Sequence, residues 1–356
     1  NAETSREVKL TPVHQLANDL AKKHLAKSRK ELKSQSPSER REALKERWKE
    51  KLGDIAPYPF QIEGRKTEHQ AGVQIEKFVL TGERDIQVPV LLMIPQNTGA
   101  KKHPVTILVA QSGKSQLLDE RATAIQALLQ QGIAVCLPDL RGMGETRPGN
   151  GRARQSWATS LSATELMLGQ TLLGSRLKDL RSLLAYLRTR TELDSGRFSV
   201  WGDSLAPVNS PNRDVQVPRR IDNVPNQAEP GGPLLAVFAG LFEDDLAAVV
   251  SARGGLVSYQ SVLESPFFYL PHDAIVPGAL AVSDLNDITE ALAPKPLWIG
   301  GLVDGRNRFV SQKVINEAYT STKTSYAASE NRFELHPGEP GDLTATVNWL
   351  AKSLKK

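Results

Sequence analysis

The chain has 356 residues, 40% hydrophobic and 24% charged, long enough to bury a large core without metal or disulfide support. Its net charge of +5 sits in residues 1–60, which carry 14 Lys/Arg against 9 Asp/Glu, while the remaining 31 basic and 31 acidic residues cancel. That balance argues against a basic nucleic-acid cleft. The single cysteine excludes a disulfide framework, no zinc-ligand spacing occurs, and no run approaches the roughly 18 apolar residues of a membrane span.

The chain starts at Asn1 and not at Met, which fits either a removed leader or an excised segment. The first favours a secreted or periplasmic protein over a cytoplasmic one. Residues 12–52 read as helices: Thr11-Pro12 opens the first, and Ser36-Pro37-Ser38-Glu39 is a capping box for the next, which Gly53 ends. A helical segment over 1–59 with a solvated basic face is expected to pack on a main domain over 60–356. Residues 73–80 and 86–92 alternate like an antiparallel hairpin. Buried-type strands are then predicted at Val105–Ala110, Ile133–Leu137, Phe198–Trp201, Ala247–Val250, Leu297–Gly301 and Phe333–Leu335. Helical patterns fill 118–130, 157–189, 233–242, 284–292, 307–319 and 341–353. Two strands followed by repeated β-α units predict an α/β domain with a mostly parallel central sheet flanked by helices. Cys136 reads as a buried strand thiol.

Phe198-Ser199-Val200-Trp201-Gly202-Asp203-Ser204-Leu205-Ala206 is a strand running into Gly-x-Ser-x-small. A sharp strand-to-helix turn presents a nucleophile in this way, because only small residues fit two positions either side of the serine. Serine needs a base, and the base needs an orienting acid, met in chain order as serine, acid, histidine. His272 precedes the Leu297 strand and suits a lid or surface role. His336 follows the last strand and is the candidate base. Asp304, on the loop after Leu297–Gly301, is the candidate acid. The oxyanion needs two backbone N–H donors. Leu205 is one choice. Lys114, in Gln111-Ser112-Gly113-Lys114-Ser115, is the other. That loop is no phosphate loop, since the first glycine of such a motif would fall at Leu108.

These segments resemble the acetyl xylan esterase-like and dienelactone hydrolase-like branch of the α/β-hydrolases. Four stretches carry the resemblance: Pro138-Asp139-Leu140-Arg141-Gly142-Met143-Gly144-Glu145, the elbow through Asn209, the run from Val276 to Leu297, and Val303-Asp304-Gly305 with His336. The resemblance covers roughly residues 60–355. It implies an α/β-hydrolase fold and a serine carboxylesterase that forms an acyl-enzyme and uses no cofactor or metal. A small-molecule or polysaccharide ester, such as a carbohydrate acetyl group, is the implied substrate. Serine at 204, where dienelactone hydrolases carry cysteine, points to esters. Pro207 interrupts the helix expected behind the elbow, so 207–232 reads as an insertion, and 257–283 as a lid-like segment. Two alternatives stand beside this reading. One is a prolyl-peptidase-like amide hydrolase, for which residues 1–60 are too short to supply the usual propeller. The other is a catalytically inactive hydrolase-fold binding domain.

Overall fold

In the computed structural model the described residues are 10–83, 85–96, 99–149, 157–213, 225–329, 331–339, 341 and 343–355. Two helices open the chain, α1 (Val13–Lys33) and α2 (Pro37–Leu52). The Ser36 hydroxyl accepts the Glu39 amide and the Glu39 carboxylate accepts the Ser36 amide, so the capping box forms and starts α2. Three antiparallel strands follow: β1 (Gln61–Gln70), β2 (Val73–Thr81) and β3 (Gln87–Pro95). β2 and β3 are the predicted hairpin. β1 had no apolar alternation to betray it, because an exposed edge strand has no face to bury.

Strands and helices then alternate: β4 (His103–Ala110), α3 (Lys114–Glu120), α4 (Ala122–Gln130), β5 (Ala134–Pro138), α5 (Trp157–Met167), α6 (Leu172–Arg188), β6 (Leu193–Asp203), α7 (Gly231–Phe242), β7 (Ala248–Ser251), α8 (Ala279–Val282), α9 (Leu285–Ala291), β8 (Leu297–Gly300), α10 (Gln312–Ala318), α11 (Thr320–Tyr326), β9 (Phe333–His336) and α12 (Thr344–Leu354). The single helix expected over 157–189 is two. The chain breaks after α5, and the Thr171 hydroxyl accepts the Gly174 amide to cap α6.

One sheet holds nine strands in the order β1-β2-β3-β5-β4-β6-β7-β8-β9. Every pairing from β5 to β9 is parallel. A parallel sheet must be covered on both faces. Val109, Val200 and Ile299 pack toward α2, α6, α7 and α9. Leu108, Trp201 and Trp298 pack on the opposite face toward α4 and α12. Cys136 is buried in β5, and burial pushes its thiol up.

The N-terminal helices lie against the first of these faces. Trp48 is fully buried, meets Phe238 edge-on at 4.9 Å, and donates its indole N–H to Ser283 Oγ at 2.7 Å. Arg29 pairs with Asp287 and Arg40 with Glu290 on α9. Part of the basic surplus expected on a solvated face is thus answered by acids of the main domain. Among the described residues, no helix is long and apolar enough to cross a membrane.

Candidate active site

The sheet puts β6 between β4 and β7, so Ser204, the first residue beyond it, stands near the sheet's centre at its carboxyl edge. The chain does not turn there as predicted. Asp203 is fully buried, held by Arg121 at 2.8 Å, and accepts the Ser204 amide at 2.8 Å. Arg253 donates to the carbonyls of Ser204 and Ala206 at 2.8 and 2.9 Å, the acceptors a helix would have used. Pro207 brings no N–H to continue one. No helix starts behind Ser204, and Ser204 is not among the described non-glycine residues with positive φ. The strained elbow is therefore absent. Its helix exists as α7, reached only after the insertion. A Cβ on Gly202 would lie 2.2 Å from Gly232 O, and one on Gly232 2.5 Å from Asp203 O, so strand end and helix touch with no side chain between.

Ser204 is 2% exposed. Gly254, with φ +71°, closes over it: a Cβ there would fall 2.4 Å from Ser204 Cβ and 2.7 Å from its Oγ.

Asp304 follows β8 as expected, but its carboxylate is held by its own loop. It accepts the amides of Arg306 and Arg308 at 2.9 and 3.1 Å and both Nε and Nη2 of Arg308 at 3.0 and 2.6 Å. An asparagine clamp fixes this loop to the insertion. Asn209 N donates to Asn307 O at 2.7 Å, and Asn209 Nδ2 to the carbonyls of Asn226 and Arg306, both at 2.9 Å. Asn307 reaches back to Pro207 O at 3.0 Å. Asp304 also lines a cleft of about 660 Å³ with Arg29, Arg40 and Asp287, on the α9 side of the sheet.

His336 lies on the other side. It is the last residue of β9, opposite Gly300, while Glu334 is opposite Trp298. Side chains two apart on a strand share a face, so the imidazole joins Trp298 on the α12 face. The rings stack at 4.0 Å. Its Nε2 is buried with no hydrogen-bond partner, 3.4 Å from a Glu334 oxygen. Among the described residues no hydrogen bond joins Ser204, Asp304 and His336. Strand parity is the physical reason: the acid loop turns to one face and the last rung of β9 points to the other.

Of the two oxyanion donors, Lys114 is corrected. Its amide donates to Asp139 Oδ1 at 2.7 Å and its ammonium to Oδ2 at 2.7 Å, so the N–H is already satisfied. The Leu205 amide makes no hydrogen bond among the described residues. Leu205 borders a smaller cleft, about 280 Å³, with Arg121, Arg253 and Glu339. His272 is exposed on a single 3-10 turn. Arg253, the Asn209–Asn307 clamp and Arg308 were missed from sequence. The only signals were an arginine two residues beyond a buried strand and the polar run Asp304-Gly-Arg-Asn-Arg.

No family model matches the chain and no curated protein matches it. Solved structures do. A Bacteroides fragilis protein described as a candidate acetyl xylan esterase superposes with TM-score 0.65 at 15% identity, over 92% of this chain and 82% of that one. A glucuronoyl esterase from Solibacter usitatus gives 0.57 at 12% identity, over 89% and 92%. Acetyl xylan esterase 1 from Thermoanaerobacterium gives 0.51 at 15%, over 88% and 94%. The chain has the α/β-hydrolase fold. Ser204 directly follows β6, Asp304 lies on the loop after β8, and His336 is the last residue of β9.

Proposed function

We propose that the protein hydrolyses a carboxylic ester, with a carbohydrate ester as its substrate class. The observation that carries this is the position of Ser204 at the end of the central strand, followed in order by an acid after β8 and a histidine at the end of β9. The carbohydrate part is supported by the similar structures, two described as acetyl xylan esterases and one as a glucuronoyl esterase.

The reaction runs on protein and water alone. Ser204 Oγ attacks the carbonyl carbon while His336 takes its proton, and Leu205 N–H faces the oxyanion. The alcohol leaves with that proton, an acyl-serine remains, and water activated by His336 releases the acid and restores the serine. The resting arrangement must open first. His336 has to leave Trp298, a contact worth about 0.5–1.5 kcal/mol. Its rung to Gly301, a 3.3 Å bond, costs on the order of 1 kcal/mol to break. Arg308 must release one Asp304 oxygen, which for a loop ion pair of this exposure costs about 0.5–1 kcal/mol. The sum is a few kcal/mol, within what substrate binding supplies.

A second reading, a hydrolase-fold body that binds without hydrolysing, is favoured by the closure of Gly254 over a serine 2% exposed. Turnover of p-nitrophenyl acetate, butyrate and octanoate separates the two. The esterase reading expects turnover of the short acyl esters that drops by at least about 10⁴-fold in Ser204→Ala. No turnover would favour the binding body, and turnover unchanged by the substitution would put the nucleophile elsewhere and contradict the role of Ser204.

A further inference from the structure

The insertion divides the elbow in two. The chain leaves at Ser204 and returns at Asn226, whose amide Asn209 Oδ1 accepts at 2.8 Å. Counted back two residues from Gly232, which touches the strand end, Pro230 with Glu229 before it takes the place an uninterrupted elbow gives its nucleophile. What surrounds that place is polar and buried. Ala228 N donates to Tyr269 O at 2.8 Å, which sets Glu229 beside the segment carrying Asp273. Asp273 and Arg176 form an ion pair at 2.7 Å with both side chains fully buried. Gln111 links the parts: its Nε2 donates to Asp273 Oδ2 at 2.8 Å and its Oε1 accepts the Gly231 amide, the first of α7, at 3.3 Å.

One buried atom here lacks a partner, Asp273 Oδ1. Leaving such an atom unsatisfied is costly, because it has given up its hydrogen bonds to water without replacing them. Native structures keep few such atoms, and each calls for an explanation such as a bound water or ion or a functional role. Glu229 makes no hydrogen bond among the described residues and is only partly buried, so the cluster reaches solvent through it. Burial, the largest influence, pushes its carboxyl up, and Arg147, Asp273 and Arg176 lie near enough to act on it.

We propose that Glu229, Asp273 and Gln111 form a binding site for the hydroxyl groups of a neutral polyol, such as the vicinal diol of a sugar ring. The charges choose the ligand class. Glu229 and Asp273 are offset by Arg176 and Arg147, so neither a cation nor an anion gains from the site's field. A hydroxyl donates and accepts at once. It supplies the donor that Asp273 Oδ1 lacks, and it can pair in either sense with the Glu229 carboxyl. Binding does not depend on ester hydrolysis, so this proposal and the esterase reading fail separately.

The test is a titration of the full chain with methyl β-D-xylopyranoside, followed by saturation-transfer NMR, with cyclohexanol as the control lacking a diol. Saturable binding of the glycoside and none of cyclohexanol is expected, unchanged in Ser204→Ala and weakened at least tenfold in Glu229→Ala. If that variant loses its cooperative melt, Glu229→Gln keeps the shape and is expected to weaken binding at least threefold. No saturable binding by the natural sequence, or equal affinity in the folded Glu229 variant, would overturn the proposal.

Discussion

Gly254 and Arg308 govern what Ser204 and Asp304 can do. A methyl at 254 would enter the serine's space at 2.4 Å and would need a left-handed backbone, φ +71°. Gly254→Ala is therefore expected to cost about 1–3 kcal/mol, read as a lowered midpoint in urea unfolding. Arg308→Gln is expected to free Asp304 for the imidazole and raise kcat for a short acyl ester about two- to fivefold with KM little changed, the equivalent of an ion pair worth about 0.5–1 kcal/mol. A fall in kcat instead would mean that the pair holds the acid loop in shape. At this scale the sequence was partly legible. The order Ser204, Asp304, His336 could be read because it follows strand ends. What engages each side chain could not. Arg308, four residues from Asp304, and Trp298, directly opposite Glu334 and two residues before the partner of His336, win their partners through turn geometry and pleat parity, which show only once register is set.

The secondary elements were legible where burial forces a pattern and not elsewhere. The strands from β4 to β9 announced themselves as apolar runs, and α2 by its capping box. β1 stayed silent because its residues face solvent. The elbow failed for a local reason: Asp203, Arg253 and Pro207 together satisfy or remove the groups a helix needs, so α7 begins beyond the insertion. The middle of that insertion, 214–224, lies outside the described residues. The N-terminal helices join the main core through Trp48. Removing its ring from a site with 0% exposure is expected to cost about 3–5 kcal/mol in Trp48→Ala, measured by denaturant unfolding. A loss under about 1 kcal/mol would mean that α2 merely rests on the surface.

Across the whole molecule, one buried acid gives stability a pH dependence of known sign. Asp284 caps α9 and accepts the amides of Leu285, Tyr259 and Gln260, yet burial pushes it up to about 6 from 3.8. The folded chain then holds this proton more tightly than the unfolded one. Its contribution is complete below about pH 4 and is lost as pH rises through about 6, on the order of 3 kcal/mol. Asp284→Asn removes the titration. Its stability relative to the natural sequence is expected to climb between pH 4 and 7, and a flat difference across that range would contradict the assignment.

The sheet order and the three chain ends at its carboxyl edge make one central claim, that residue 204 is a working nucleophile. A fluorophosphonate reacts only with a serine whose base can reach it, and peptide mass spectrometry locates the adduct. A stoichiometric adduct on Ser204 in the folded chain, absent in His336→Ala, is the expected result; an unlabelled chain, or an adduct on another serine, would contradict the account.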